Sequence, residues 1–211
     1  MGSRTYGGVT VEERRVRRRA ALLDAALELH AEVGWDKVTV RGVCARARLN
    51  DRYFYESFPD RDQLLLAARD GIAEQALAAL LHAIETTAPE PDARIRAVVE
   101  AVIGYFAADP RRGGLMFAAH EALRDRRHEM VTMLAVIVAE QAEVLLGDHV
   151  APEPDRRLGA LTLVNGTMEV FASWLRGELD VTREHLADFL VAMILTTGDL
   201  SDALRRQRGG V

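Results

Sequence analysis

Residues 39–58, TVRGVCARARLNDRYFYESF, constrain the fold more than any other stretch of the chain. The pattern predicts two short helices, 40–47 and 51–57, with a tight turn at Arg48-Leu49 between them. Thr39 and Asn50 each carry a side-chain oxygen suited to cap the helix that follows. Pro59 closes the second helix, because the residue before a proline is pushed out of helical space. Helices this short are marginal alone, so they need a third to pack against. Upstream, Thr10-x-x-Glu13 is a capping-box signature. Leu22, Ala26, Leu29 and Val33 then form an apolar stripe, which Gly34 stops as a left-handed C-terminal glycine would. On the 51–57 helix the spacing turns Leu49, Phe54 and Phe58 inward and Arg52, Tyr53, Glu56 and Ser57 outward. Two short helices held on a third most commonly present the second of the pair to the major groove of DNA.

Every strong periodicity downstream is also helical, and no alternating strand pattern competes with it. Asp60-x-x-Gln63 opens a long helix running to about residue 85. Ala88-Pro89-Glu90-Pro91 is a break. Helices are expected at about 92–108, 112–123, 126–146, 155–177 and 182–206, with a stop at Asp109-Pro110 and a loop over 147–154. The fold class is therefore all-α with about nine helices: an N-terminal three-helix helix-turn-helix domain over 16–76, then a second helical domain over 77–208, whose ligand-binding and dimerisation roles come only from the family resemblance that residues 18–66 carry. The tail beyond is expected to fray.

Composition narrows the function. The chain has 211 residues, 49 % of them hydrophobic, enough for one or two modest cores. No apolar run approaches the roughly 18 residues of a membrane span, and no signal peptide opens the chain. Cys44 is the single cysteine, so no disulfide joins two parts of the chain; the expected location is cytoplasmic. The net charge of −5 excludes a protein that coats nucleic acid with its whole surface. Residues 1–62 nevertheless carry 12 basic against 10 acidic side chains, and the remainder 15 against 22. Five of the six residues 14–19 are arginine. Beside a helix-turn-helix pattern that run points to phosphate contact. No set of His, Cys, Asp or Glu has metal-ligand spacing, and no serine has the surroundings of a nucleophile, so neither catalysis nor a metal or other cofactor is expected.

Residues 18–66 resemble the TetR (tetracycline-repressor) family of bacterial transcriptional regulators. The resemblance rests on Leu22-Leu23-x-Ala25-Ala26, Glu32-x-Gly34, Thr39-Val40-Arg41, Val43-x-x-x-Ala47, Tyr55-x-x-Phe58-Pro59 and Leu64-Leu65. It implies a DNA-binding domain in the first three helices, a fourth helix linking it to a domain with a small-molecule pocket, and a homodimer formed through the last two helices as a four-helix bundle. Ligand binding would change the spacing of the two recognition helices and release the operator. Several positions depart from the family pattern. Arg48 stands where the turn usually has glycine, so a left-handed backbone there would cost about 1 kcal/mol. His30 stands at a common core phenylalanine, Arg52 at a glycine or proline, Glu56 at an aromatic, and Ser57 at a frequent His or Asn.

The expected DNA-binding residues are Thr39, Arg41, Asn50, Asp51, Arg52, Tyr53, Tyr55, Glu56, Ser57 and Arg61. Arg52 is the best candidate for a bidentate contact to guanine. Tyr53 and Tyr55 are candidates for phosphates or bases, with ordinary packing the competing reading. Thr39, Arg41 and Arg61 flank the unit where phosphate clamps sit. Asp51 and Glu56 are anions facing a polyanion. Either one accepts from cytosine, tunes affinity or pairs with Arg52, and they motivate the alternative of a same-fold binding protein that has lost DNA recognition. A further alternative is control by a protein partner. Cys44 and His30 read as interior residues.

For the effector, expected to be an unidentified and largely apolar inducer or corepressor, the candidate lining is Tyr105, Phe106, Met116, Phe117, His120, Met133, Asn165, Met168, Glu169, Phe171 and Trp174. Asn165 and Glu169 fit the dimer seam as well. Gly113-Gly114 is a hinge or a loose helix start. The expected partners are thus double-stranded operator DNA, the small molecule and a second copy of the chain, with no membrane.

Overall fold

The computed structural model describes residues 10–147, 150–196, 203, 204, 206 and 207. Among them the regular structure is all-helical: α1 (Val11–Val33), α2 (Val40–Ala47), α3 (Asp51–Ser57), α4 (Arg61–Thr86), α5 (Pro91–Ala107), α6 (Pro110–Met116), α7 (Arg124–Leu146), α8 (Asp155–Leu175) and α9 (Arg183–Thr196). Two short 3-10 turns, Trp35–Lys37 and Glu121–Leu123, sit between them. None of the described helices is long and apolar enough to cross a membrane. The chain divides into two compact units, Met1–Glu74 with Gly114–Ala118, and Gln75–Gly113 with Ala119–Val211.

In the first unit α1 packs against α2 and α3, and α2 packs against α3. The buried side chains come from every element: Leu22, Ala25 and Ala26 of α1, Trp35 and Val38 of the connection, Val43 and Cys44 of α2, Phe54 and Phe58, and Leu64 and Leu65 of α4. The helix starts are local chemistry. Thr10 accepts from the Glu13 N–H at 3.1 Å while Glu13 accepts from the Thr10 N–H at 2.6 Å, a complete capping box. Thr39 Oγ1 accepts from Gly42 N–H at 3.0 Å, Asn50 Oδ1 from Tyr53 N–H at 3.2 Å, and Asp60 Oδ1 from Gln63 N–H at 2.8 Å.

The helix ends show two kinds of stop. Gly34 has φ 76° and ψ 154°. The positive φ agrees with the sequence reading, but ψ places the residue beyond the left-handed helical region, in a conformation open essentially to glycine alone. Arg48 is left-handed, with φ 55° and ψ 40°, and is the one non-glycine residue with positive φ among those described. Around it the Leu49 N–H bonds the Cys44 carbonyl at 2.9 Å and the Arg48 N–H bonds the Ala45 carbonyl at 3.2 Å. That is the paired closure of a Schellman motif, here made at the expense of a side chain in left-handed space.

In the second unit α7 packs on α8, and α5 on α9. Val131 and Ala135 of α7 bury against Ala160 and Val164 of α8, flanked by Leu134, Val138, Leu161 and Met168. Phe106 of α5 meets Phe171 of α8 edge to face at 5.4 Å. Arg96 of α5 pairs with Asp188 of α9 at 2.9 Å. Gly113 packs closely on Leu175: a Cβ there would lie 2.8 Å from Leu175 Cδ1 and would make that side chain shift. The expected helix over 112–123 is instead α6 followed by a separate 3-10 turn. His120 is extended (φ −122°, ψ 139°) and its Nδ1 accepts from the Ala122 N–H, so it begins a new turn rather than continuing the old one. The prolines of both predicted breaks, Pro91 and Pro110, are the first residues of α5 and α6, where a missing N–H costs nothing. The expected final helix is described only to Thr196; most of 197–211 lies outside the described residues.

Two opposite substitutions test the stops of α1 and α2. Gly34→Ala is expected to destabilise the protein by about 1–3 kcal/mol, and Arg48→Gly to stabilise it by up to about 1 kcal/mol, as read from urea unfolding midpoints.

Candidate nucleic-acid interface

The seven residues of α3 divide cleanly. Phe54 and Phe58, four apart, are buried, with ring centroids 6.0 Å from each other. That spacing leaves Arg52, Tyr55 and Glu56 on the opposite, exposed side. Leu49 is half-buried at the turn. Tyr55 touches Phe54 edge to face at 5.3 Å and is otherwise open to solvent.

Tyr53 is only half-exposed, because the Arg18 guanidinium of α1 lies over its ring, 4.3 Å from the centroid. Arg19 stacks in the same way on Phe58 at 4.6 Å. The sequence reading missed both stacking contacts and took the run at 14–19 for phosphate contacts. The signal was present: Arg18 precedes the fully buried Leu22 by four residues, so both share the face that α1 turns to its neighbours.

The two acidic residues of α3 are both engaged within the unit. Glu56 Oε1 accepts from Arg52 Nε at 2.9 Å, and its Oε2 lies 3.9 Å from Arg18. Asp51 occupies the first turn of α3, where a negative charge complements the helix dipole. Its carboxylate is also near Cys44. Burial first, then a hydrogen bond to that carboxylate and last its charge, push the Cys44 thiol up to about 11. Cys44 is thus an inert core thiol, not an activated one.

The flanking candidates differ from one another. Thr39 and Asn50 spend a side-chain oxygen on capping, which leaves the Thr39 hydroxyl proton and the Asn50 amide N–H groups to donate outward. Arg41 is exposed and has no ion-pair partner among the described residues. Arg61 is held inward: its NH1 donates to the Val38 carbonyl at 3.0 Å and its guanidinium lies 5.8 Å over the Trp35 ring. It fastens the start of α4 to the connection before α2. Ser57 donates its hydroxyl to the Tyr53 carbonyl four residues back, at 3.1 Å, so its proton is spent inside α3. Arg46, not singled out from sequence, joins α2 to α1 through Glu32 at 2.7 Å and Glu28 at 2.8 Å. This pairing, chiefly with Glu32, holds the arginine strongly charged and the Glu32 carboxyl below its usual range. His30, expected to be a satisfied interior residue, is half-buried, and its Nδ1 has no hydrogen-bond partner among the described residues.

The candidate effector residues belong to both units. Met116 and Phe117 fall in the first unit and the others in the second. There Tyr105, Phe106, Phe171 and Trp174 form a chain of ring contacts 5.1, 5.4 and 5.9 Å apart. Met168 packs on the α7–α8 core. Met133 is exposed on α7. Asn165 and Glu169 are exposed on α8: the Asn165 amide donates back to the Leu161 carbonyl, and Glu169 pairs with Arg127 and Arg176. His120 caps the second 3-10 turn.

A short helix with its aromatic side chains buried against two others, a capped start and an arginine on its open face is the arrangement of a helix-turn-helix unit. Residues 22–68 match the sequence pattern described as bacterial regulatory proteins, tetR family. Solved structures share the fold. A TetR-like transcriptional regulator from Rhodococcus sp. RHA1 is 20 % identical, with 84 % of this chain and 93 % of that one covered and a TM-score of 0.68. A TetR family transcription regulator from Marinobacter aquaeolei VT8 is 18 % identical, with 89 % and 98 % covered and a TM-score of 0.66. The fatty acid degradation regulator FadR from Bacillus halodurans is 16 % identical, with 87 % and 93 % covered and a TM-score of 0.69. A comparison with curated proteins finds no match. Residues 22–68 thus carry the pattern of the tetR family's N-terminal region, and the chain shares its all-helical fold with TetR-like regulators.

Cys44 gives the site a pH test. The folded thiol stays neutral to higher pH than the unfolded one, so its contribution is complete below pH 9.0 and is lost as pH rises toward about 11. Across that window wild type is expected to lose stability more steeply than Cys44→Ala in denaturant titrations; parallel curves would contradict the assignment.

Proposed function

We propose that the protein is a homodimeric, ligand-responsive repressor whose paired α3 helices read half-sites of a pseudo-palindromic operator. The observation that carries this reading is the division of α3. Its apolar residues are consumed by the core, and its open face offers Arg52 and Tyr55 while Glu56 is held in ion pairs with Arg52 and Arg18. The rival reading, a fold that has lost DNA recognition, drew on Asp51 and Glu56 as anions facing DNA. Both have intrachain partners, Glu56 with Arg52 and Arg18 and Asp51 with Cys44, which supports the DNA-reading account over it.

Pairing of two chains is supported by apolar residues left outside on the last two described helices. Leu158 of α8 is 60 % exposed, and Phe189 and Met193 of α9 are 51 % and 49 % exposed. Phe189 and Met193 are four apart and share a face. Exposed side chains of this size are the material of a helical dimer seam, and Asn165 and Gly166 lie on the open side of α8 with them. The ring contacts of Phe106, Phe171 and Trp174 fit a largely apolar effector. The kinship in fold with a fatty acid degradation regulator agrees with an apolar, acyl-like compound. No cofactor enters this account. To control the operator, the effector must bind the non-operator conformation more tightly, by a coupling of about 1–3 kcal/mol.

Affinity for an operator duplex is expected to fall steeply and log-linearly with salt. Arg52→Ala should weaken specific binding by about 1–3 kcal/mol. Binding that ignores salt, or an unchanged Arg52→Ala affinity, would count against the reading. Phe189→Glu is expected to sediment as a monomer at concentrations where wild type is a dimer; a wild-type monomer would remove the dimer from the account.

A further inference from the structure

We propose that Glu56 is a positioning residue for specificity: anchored by Arg18 of α1, it holds Arg52 so that the two terminal amino groups of the guanidinium face a guanine. The inference deepens the DNA-reading function above and rests on it. An arginine can offer a base either of two donor edges, Nε with one amino group or the two amino groups together. Here Arg52 Nε is occupied by Glu56 Oε1 at 2.9 Å. The edge that remains is the amino pair, a fork that matches O6 and N7 of guanine.

The anchor comes from outside α3. Arg18 lies 3.9 Å from the second Glu56 oxygen and covers the Tyr53 ring at 4.3 Å. Glu56 is thereby tied to α1 as well as to its own helix. The Arg52 side chain is 82 % exposed, and without this tether it would sample many rotamers and lose that freedom on binding.

Helix stability does not explain the pair. Arg52 is the second residue of α3 and Glu56 the second from last. The cation therefore sits toward the positive end of the helix dipole and the anion toward the negative end, and arginine preceding glutamate is the weaker i,i+4 order. Nor does raw DNA affinity explain it, since an anion at a phosphate-rich surface opposes binding of every sequence. What the arrangement supplies is orientation, at a cost in non-specific attraction. That trade gives Glu56→Ala an uncommon signature: weaker discrimination with tighter non-specific binding.

The experiment uses the full chain. Duplexes are selected by wild type from a pool with a randomised core. Affinities are then measured for the enriched duplex, for versions with each guanine replaced, and for a scrambled duplex. Wild type is expected to prefer one guanine per half-site by roughly tenfold. Arg52→Ala abolishes that preference. Glu56→Ala reduces it to near equality and binds the scrambled duplex more tightly than wild type. Glu56→Gln, which keeps an oxygen for Arg52 Nε, retains most of the preference, and Arg18→Ala loses part of it. If Glu56→Ala keeps the guanine preference that Arg52→Ala loses, the positioning role is wrong and the DNA-reading function stands. If wild type enriches no sequence, the DNA-reading function fails and takes this inference with it.

Discussion

The burial of Phe54 and Phe58 is the constraint on which the open face of α3, proposed to meet DNA, depends. A helix of seven residues has too few internal hydrogen bonds to persist alone. Burying one phenylalanine contributes on the order of 1.5–3 kcal/mol, comparable to what a short helix lacks. Because these two rings are four residues apart, their burial also fixes the rotation of α3 about its axis. That rotation decides which residues face outward. Arg52, Tyr55 and Glu56 are open because Phe54 and Phe58 are closed.

Arginine does two jobs in this unit. Arg18, Arg19, Arg46 and Arg61 point into the domain and act as struts, over Tyr53, over Phe58, onto Glu28 and Glu32, and onto the Val38 carbonyl. Each such contact at a partly exposed site contributes little alone. Together they set the angles at which three short elements meet, and the planar guanidinium suits that role because it stacks and hydrogen-bonds at once. Arg41 and Arg52 point outward. The concentration of positive charge near the N-terminus is therefore partly scaffold, which the bare count of arginines does not reveal.

Much of the first unit was legible in the sequence because its signals are local. Thr10, Thr39 and Asn50 cap the helices their positions predict, and α2 and α3 have the bounds expected from them. The left-handed turn at Arg48 meets the expectation drawn from the family resemblance, which implies a glycine position there. What stayed hidden depends on tertiary contact. Spacing from Leu22 puts Arg18 on the inward face of α1, but its partner Tyr53, like the nearness of Asp51 to Cys44, lies across helices where no periodic signal reaches. The second unit was harder for another reason. Its helices are apolar on several sides, so Met133, Asn165 and Glu169 could not be assigned to inside or outside by spacing; all three are exposed. His120 shows the same limit at an element boundary, where the cap of a separate 3-10 turn resembles a helical residue in composition.

The central claim is that α3 lies in the major groove and reads guanine there. Methylation interference tests it most directly, because a methyl group on guanine N7 blocks the major-groove edge without altering the phosphates. On a duplex selected by the protein, methylation of one guanine in each half-site is predicted to abolish binding, with the two positions one helical turn or a multiple apart. Binding indifferent to N7 methylation at every guanine would contradict the account.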